Sequence, residues 1–150
     1  MRMAIGSDLR TELTDALELR VRELGHEIVT FGALQSGSDN AWTATARALG
    51  EAVASGECEQ GILCCWTGTG VSIAANKVRG VRAALCGDAA TAAGAREWND
   101  ANVLCLSLRA TSVALAKEIL NAWLAGAPTA EPRYRAMIDG LIADDTSKAV

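Results

Sequence analysis

The amino-acid sequence predicts a three-layer α/β fold, in which helices cover both faces of a doubly wound sheet of five parallel strands. Short apolar segments alternate with segments whose apolar residues recur at helical spacing. The apolar segments are nearly continuous, which is typical of parallel strands that are buried on both faces. The chain of 150 residues is 50% hydrophobic and 21% charged, which fits one globular domain with its own core.

Each predicted strand is an apolar segment that stops at a polar or glycine-rich turn. The strands are predicted at residues 2–5, 26–31, 62–64, 81–86 and 102–106. The helices between and after them are predicted at residues 9–24, 40–55, from 71 onward, 89–97, 111–124 and 133–143. Ser7 or Asp8 is expected to cap the first helix and Thr111 the fifth, whereas Pro128 and Pro132 separate the last two.

This order of elements predicts a Rossmann-like, flavodoxin-like sheet with an additional C-terminal helix. Ligands of such sheets bind beyond the carboxyl ends of the strands, where the strand order reverses. Asp8 follows the first strand and Cys65 the third, and these strands are neighbours in a flavodoxin-like order. We therefore expect Asp8 beside Cys65, in a domain of residues 1–143 followed by a loose tail, 144–150. The polar loop at 32–39 is the expected mobile rim.

The segment 61–77 carries the strongest sign of chemistry. An apolar strand at 62–64 leads into a glycine-rich turn that begins with Cys65, Trp66 and Thr67, and a helix follows. Such a turn aims successive backbone N–H groups at one point, and that geometry suits a phosphate or an oxyanion that forms during a reaction. A cysteine beside it is a candidate nucleophile or base, because its thiolate would be stabilised there. The alternative is an ordinary turn with a buried cysteine.

Composition excludes several other classes of function. The net charge of −4 with no basic block argues against a nucleic-acid partner. No apolar run approaches the ~20 residues of a membrane span, and the N-terminus lacks the layout of a signal peptide. The five cysteines are an odd set without metal-ligand spacing, so reduced thiols in a cytoplasmic protein are expected. The single histidine, His26, opens a strand and is interpreted as structural.

Several segments together resemble one known family. The residues that carry the resemblance are 6–8 (GSD), 61–65 (GILCC), 67–70 (TGTG), 72–77 (SIAANK), 80–83 (GVRA) and 99–104 (NDANVL). From Met3 to about Ile142 the chain resembles ribose-5-phosphate isomerase B and the subunits of galactose-6-phosphate isomerase. The resemblance implies an isomerase that moves a proton between C1 and C2 of a phosphorylated sugar through an enediolate, without metal or cofactor.

The resemblance also implies a role for individual residues. Cys65 matches the base for the C2 proton and Thr67 the hydroxyl that serves the sugar oxygens. The turn amides that would hold the enediolate charge belong to three residues, Gly68, Thr69 and Gly70. Asp8 matches a carboxylate that binds substrate hydroxyls, although helix capping is an alternative role.

Three further residues complete this implied site. Asn99 matches an asparagine that is often supplied across a dimer interface, and Arg109 and Arg133 match arginines that hold the phosphate. A homodimer, or a tetramer, with shared sites is therefore expected. For Arg109 the alternative is an exposed surface arginine.

The chain departs from the family where the family uses histidine. Leu9 stands where a histidine is common after the first aspartate, and Trp98 replaces the histidine that opens the sugar ring. Trp66 replaces a glycine after the cysteine, and Trp42 falls within the altered loop motif at 39–42. Tryptophan brings a large apolar area and one N–H donor, but it cannot shuttle a proton at neutral pH. Trp66 and Trp98 are therefore expected to line a reshaped substrate pocket.

Two hypotheses follow from these matches and departures. In the first, the chain is an active isomerase with an altered substrate, such as a C4 or C6 sugar phosphate; a four-carbon ketose phosphate needs no ring opening. In the second, the chain is a weak or inactive relative that binds sugar phosphates or serves as a partner subunit.

Overall fold

The computed structural model describes residues 1–147 and contains five strands and six helices in alternation. The strands are β1 (Arg2–Ser7), β2 (Glu27–Gly32), β3 (Gln60–Cys65), β4 (Ala83–Leu85) and β5 (Val103–Ser107). The helices are α1 (Glu12–Glu23), α2 (Trp42–Ala54), α3 (Thr69–Ala75), α4 (Ala89–Asn99), α5 (Val113–Ala125) and α6 (Pro132–Ser147). None of these helices is long and apolar enough to cross a membrane.

The five strands form one parallel sheet in the order β2-β1-β3-β5-β4. The predicted parallel α/β fold is confirmed, and so is the predicted contact between the first and third strands. The order differs from the flavodoxin order at one end, because β5 lies between β3 and β4. The chain therefore moves outward from β3 to β4 and then returns to β5.

That return decides which helices share a face of the sheet. Right-handed crossovers in one direction place their helices on one face, and crossovers in the opposite direction place them on the other. The connections β1 to β2 and β4 to β5 run in the same direction, so α1 and α4 share a face, where α5 joins them. The connections β2 to β3 and β3 to β4 place α2 and α3 on the opposite face.

Strand β3 lies at the centre of the sheet and is buried on both faces, which explains its unbroken apolar sequence. Ile62 and Cys64 pack into the core beneath α1 and α5, whereas Leu63 and Cys65 pack beneath α2 and α3. Trp123 on α5 is fully buried, and its indole N–H donates to Gln60 Oε1 over 2.7 Å.

Two predicted helix caps are wrong. Helix α1 begins at Glu12, three residues later than predicted, and Thr11 caps it together with Thr14 in a reciprocal capping box. Ser7 instead remains in β1 and bonds the backbone of Leu9 with its hydroxyl. The cap of α5 is Ser112 rather than Thr111, since the Ser112 hydroxyl accepts from the amide of Leu115.

The prediction of a loose tail from residue 144 is wrong for residues 144–147, which are helical. Helix α6 continues through Ser147, and the carboxylate of Asp145 accepts a hydrogen bond of 2.9 Å from the amide of Gly80. The remainder of that predicted tail, 148–150, lies outside the described residues. The C-terminal helix is therefore tied to the loop that precedes β4.

Two asparagines from the motifs that carry the family resemblance hold the short edge strand β4. The side chain of Asn76 both donates to the backbone oxygen and accepts from the backbone amide of Ala83. The side chain of Asn102 donates to the backbone oxygen of Gly80 and accepts from the backbone amide of Arg82, both just before β4. The contacts of Asn76 replace the strand partner that β4 lacks on its outer side, whereas those of Asn102 join the residues before β4 to the start of β5.

Candidate active site

The carboxyl ends of β1 and β3 meet at one edge of the sheet and bring the predicted base and carboxylate together. In the parallel pairing of these strands Ser7 lies opposite Cys64, so the next residues, Asp8 and Cys65, are neighbours at that edge. Cys65 is only 6% exposed. Its backbone oxygen accepts from the amide of Leu108, which ties the end of β3 to the end of β5.

Asp8 is not used by the fold in the way that a capping residue would be. Its Oδ1 is buried and has no hydrogen-bond partner among residues 1–147. Burial raises the pKa of Asp8 above its ordinary value. An unpaired, partly desolvated carboxylate beside a thiol is costly to folding, and such groups are characteristic of sites where a ligand supplies the missing donor.

Hydrogen bonds to the end of β5 hold the first half of the turn that follows Cys65. The backbone oxygen of Trp66 accepts from the hydroxyl of Ser107 over 3.0 Å and from the amide of Arg109 over 3.1 Å. The indole of Trp66 therefore projects from a rigid backbone, and the residue is 58% exposed. Thr67 follows, and its hydroxyl lies 2.7 Å from that of Thr69.

Gly68 makes the sharp change of direction that starts α3. Its φ of 76° is in the left-handed region that favours glycine. A Cβ there would also lie 2.9 Å from the carbonyl carbon of Leu106, so the backbone of β5 excludes any side chain. The amides of Gly68, Thr69 and Gly70 donate to no acceptor within the described chain. The turn therefore presents unpaired donors beside Cys65.

Arg109 lies at the same edge of the sheet, immediately after β5. It lines a cavity of about 470 Å³ together with Thr67, Ser107 and Thr111. No carboxylate among residues 1–147 pairs with its guanidinium. Arg109, predicted to bind the phosphate, is therefore exposed and has no carboxylate partner among residues 1–147. It lies on the opposite side of the Thr67 turn from Asp8, because β3 lies between β1 and β5.

The neighbouring thiols differ from Cys65 in position. Cys64 points to the opposite face of the sheet and is fully buried; burial, followed by the charges of Cys65 and Asp8, raises its pKa to about 12. Burial and the nearby Asp88 raise the pKa of Cys86 to about 11, and burial raises that of Cys105 well above its ordinary value. All five cysteines are free thiols, as the sequence predicts.

Three predicted site residues lie away from Cys65 within one chain. Trp98 and Asn99 end α4, just before the amino end of β5, and so lie at the opposite edge of the sheet. They line a cavity of about 330 Å³ against α6. Arg133 is exposed in the first turn of α6, next to Tyr134, which lines that same cavity.

The one histidine of the sequence also lies at the opposite edge. His26 precedes β2, and its Nδ1 is 3.3 Å from the amino group of Met1. No imidazole of the chain is therefore near Cys65, and the position next to Asp8 is taken by Leu9, which is exposed.

A family model described as Ribose/Galactose Isomerase matches residues 3–141, nearly the whole chain. The chain belongs to this family. D-erythrulose-4-phosphate isomerase of Pectobacterium atrosepticum is 38% identical over 127 residues, which are 81% of each chain. Ribose-5-phosphate isomerase B of Escherichia coli is 45% identical over 92 residues, or 61% of each. The structure of Clostridium thermocellum ribose-5-phosphate isomerase B superposes with a TM-score of 0.89, at 35% identity, over 99% of this chain and 100% of that one.

Sequence reasoning missed a contact between Trp42 and the turn. The Trp42 ring lies against Gly70, so that a Cβ on this glycine would be 3.1 Å from the nearest indole atom. The sequence contains part of the signal, because Trp42 falls in a motif where the chain departs from the family and Gly70 lies in the glycine-rich turn. Their contact depends on how α2 packs against α3, which no local pattern reveals.

We predict that Asp8→Asn stabilises the protein at neutral pH. Because the pKa of Asp8 is raised in the folded state, the ionised carboxylate disfavours folding at pH values above that folded pKa. The cost disappears as the pH falls below about 3.8, the ordinary value, where both states are protonated. Urea unfolding of the variant should therefore give a larger free energy of unfolding than wild type at pH 7, and an equal one near pH 3.

Glu51→Gln is the matched control, since Glu51 is an exposed carboxylate without a partner among the described residues. It should leave stability unchanged at both pH values. A wild-type protein that is as stable as Asp8→Asn at pH 7 would contradict the interpretation of Asp8 as a buried, unsatisfied carboxylate.

Proposed function

We propose that this chain is a sugar-phosphate isomerase that interconverts an aldose and a ketose by proton transfer between C1 and C2, with Cys65 as the base. The observation that carries the proposal is the position of the thiol: at the end of β3, next to the unpaired Asp8 and a turn of unpaired amides. A positioned base and donors aimed at developing charge are what an enediolate reaction needs.

In the proposed reaction the thiolate of Cys65 takes the proton from C2 of the open-chain aldose. The electron pair moves into a C1–C2 double bond, and the carbonyl oxygen becomes the enediolate oxyanion. The amides of Gly68, Thr69 and Gly70 stabilise that charge. The hydroxyl of Thr67 transfers a proton between the two oxygens, and return of the Cys65 proton to C1 gives the ketose.

The remaining groups bind the rest of the substrate. Asp8 accepts hydrogen bonds from substrate hydroxyls, which satisfies its unpaired oxygen. Arg109 binds the phosphate, since a guanidinium offers bidentate donors and this one has no carboxylate partner among the described residues. Trp66 forms an apolar wall beside the thiol.

For the substrate we propose an open-chain ketotetrose phosphate, such as erythrulose 4-phosphate. A furanose must be opened by an acid or base before its C2 proton becomes acidic, and the only imidazole of the chain lies at the far edge of the sheet. A tetrose phosphate whose 4-hydroxyl is esterified has no hydroxyl that can close a furanose ring in either the aldose or the ketose, so it needs no histidine for ring opening. The similarity to a D-erythrulose-4-phosphate isomerase supports this choice.

We propose further that the active unit is a homodimer in which the partner completes each site. Trp98, Asn99 and Arg133 lie together but far from Cys65 of their own chain. Helix α6 buries only Ile138 fully, whereas Met137 and Leu141 on the same helix are exposed. A second copy that covers this apolar face would bring Asn99 and Arg133 to the substrate of its neighbour.

We predict that Cys65→Ala lowers kcat/KM by at least about 10² to 10⁴, the usual contribution of a positioned base. A coupled assay that detects the aldose product measures this. Cys64→Ala is the matched control, because the neighbouring thiol faces the opposite side of the sheet. It should retain activity within a fewfold. If the wild-type protein binds sugar phosphates but does not convert them, the proposed isomerase activity is contradicted and a role as a sugar-phosphate-binding protein is favoured.

We predict that erythrulose 4-phosphate is a better substrate than ribose 5-phosphate by at least about tenfold in kcat/KM, or 1.4 kcal/mol of transition-state stabilisation. The reason is that ring opening limits only the pentose. Both rates can be measured with the same enzyme preparation. A ribose 5-phosphate rate that equals or exceeds the tetrose rate would contradict the proposed substrate and leave the proposed base unaffected.

We predict that Cys65→Ala and Asn99→Ala complement each other. Each variant alone should be nearly inactive. After the two are mixed, unfolded and refolded, activity should return to about a quarter of wild type, because half of the dimers are mixed and each mixed dimer has one intact site. Refolding of either variant alone is the control. No recovery in the mixture would contradict a site shared between subunits.

A further inference from the structure

The contact between Trp42 and Gly70 joins the start of α2 to the turn beside Cys65. Trp42 is the first residue of α2, and the six-membered part of its indole faces Gly70. The three nearest indole atoms, Cε3, Cδ2 and Cζ3, would lie 3.1 to 3.3 Å from a Cβ on this glycine. The residue is 43% exposed, and it also lines a groove of about 780 Å³ between α2 and α3.

Gly68 and Gly70 are glycines for different reasons. Gly68 has a positive φ and lies against the backbone of β5, so both its conformation and its surroundings exclude a side chain. Gly70 is within α3 and is not among the residues with positive φ, so alanine would fit its backbone. The nearest atoms that a side chain on Gly70 would meet are those of the Trp42 indole.

The second half of the turn has few other contacts to hold it. The first half is bonded to β5 through Trp66. Apart from hydrogen bonds within α3 itself, the hydroxyl pair of Thr67 and Thr69 is the one hydrogen-bonding contact of Thr69 and Gly70 among residues 1–147. Helix α3 has seven residues, so it offers little rigidity of its own. The flat indole, carried by the longer α2, therefore limits how far Gly70 and its amide can move.

We propose that Trp42 is a positioning residue, which acts through Gly70 to hold the turn amides where the enediolate charge develops. This inference rests on the proposed isomerase function. The indole acts on the turn and not on the substrate. Because the oxyanion forms only as the reaction proceeds, a displaced amide weakens transition-state binding more than substrate binding.

The test compares kcat and KM for five variants with wild type. Trp42→Ala should lower kcat by about tenfold to a hundredfold, the cost of a misplaced catalytic group, with a much smaller change in KM. Trp42→Phe keeps a flat ring against Gly70 and should restore most of kcat. Ile73→Ala is the matched control, because Ile73 is an exposed apolar residue lining the same groove without being among the nearest neighbours of Gly70. It should stay within about twofold of wild type.

Gly70→Ala tests the same contact from the other side. It should lower kcat in the wild-type background, because the added methyl group pushes the turn and the indole apart. In the Trp42→Ala background the same change should have little further effect, because the indole is gone. If Trp42→Ala does not fold, the single variant Gly70→Ala decides, because it retains Trp42: a lowered kcat supports the contact and a wild-type kcat contradicts it.

If Trp42→Ala folds, two results would overturn the inference. One is a wild-type kcat in Trp42→Ala; the other is an equal loss from Gly70→Ala in both backgrounds. If the wild-type enzyme is active, either result contradicts the positioning role of Trp42 and leaves the proposed isomerase function standing. A wild-type protein without turnover contradicts the proposed function instead, so the two failures are distinguishable.

Discussion

The parallel pairing of β1 with β3 is the constraint on which the site depends. Its register sets Ser7 opposite Cys64, so Asp8 and Cys65 emerge side by side at the carboxyl edge of the sheet. Full burial of β3 on both faces makes this register hard to shift, because a slip of one residue would exchange the two core faces. The buried central strand thus carries the proposed base, while the amides of the flanking turn and Oδ1 of Asp8 have no partner among residues 1–147. The contacts that stabilise the sheet therefore leave backbone donors and a carboxylate acceptor unsatisfied where a substrate would bind.

Much of this could be predicted from the sequence, because the decisive signals are local. The unbroken apolar run to Cys64 and the glycines that follow in the turn predict a buried strand and a turn of free amides. Both are found, with the strand one residue longer at its carboxyl end, through Cys65. The cap of α1 could not be chosen in the same way. Ser7, Asp8 and Thr11 are all capable caps, and only the length of β1, set by its pairing with β3, leaves the role to Thr11. That outcome leaves Asp8 free of a capping role.

Non-local packing explains the rest of what the sequence did not reveal. The position of β5 between β3 and β4 depends on long-range pairing, although it decides that Arg109 lies beside the Thr67 turn. The contact of Trp42 with Gly70 depends on the packing of α2 against α3. The motif residues Asn76 and Asn102 turn out to hold the edge strand β4. Part of the sequence shared with the family therefore stabilises the edge strand β4, and only part of it forms the candidate active site.

In the proposed mechanism Cys65 removes the proton from C2, so hydrogen exchange at that carbon is the decisive measurement. Aldotetrose 4-phosphate would be incubated with the protein in D₂O and followed by NMR at C2. We expect wild type and Cys64→Ala to replace this hydrogen with deuterium, and Cys65→Ala not to do so. Exchange at an undiminished rate in Cys65→Ala would contradict the assignment of Cys65 as the base.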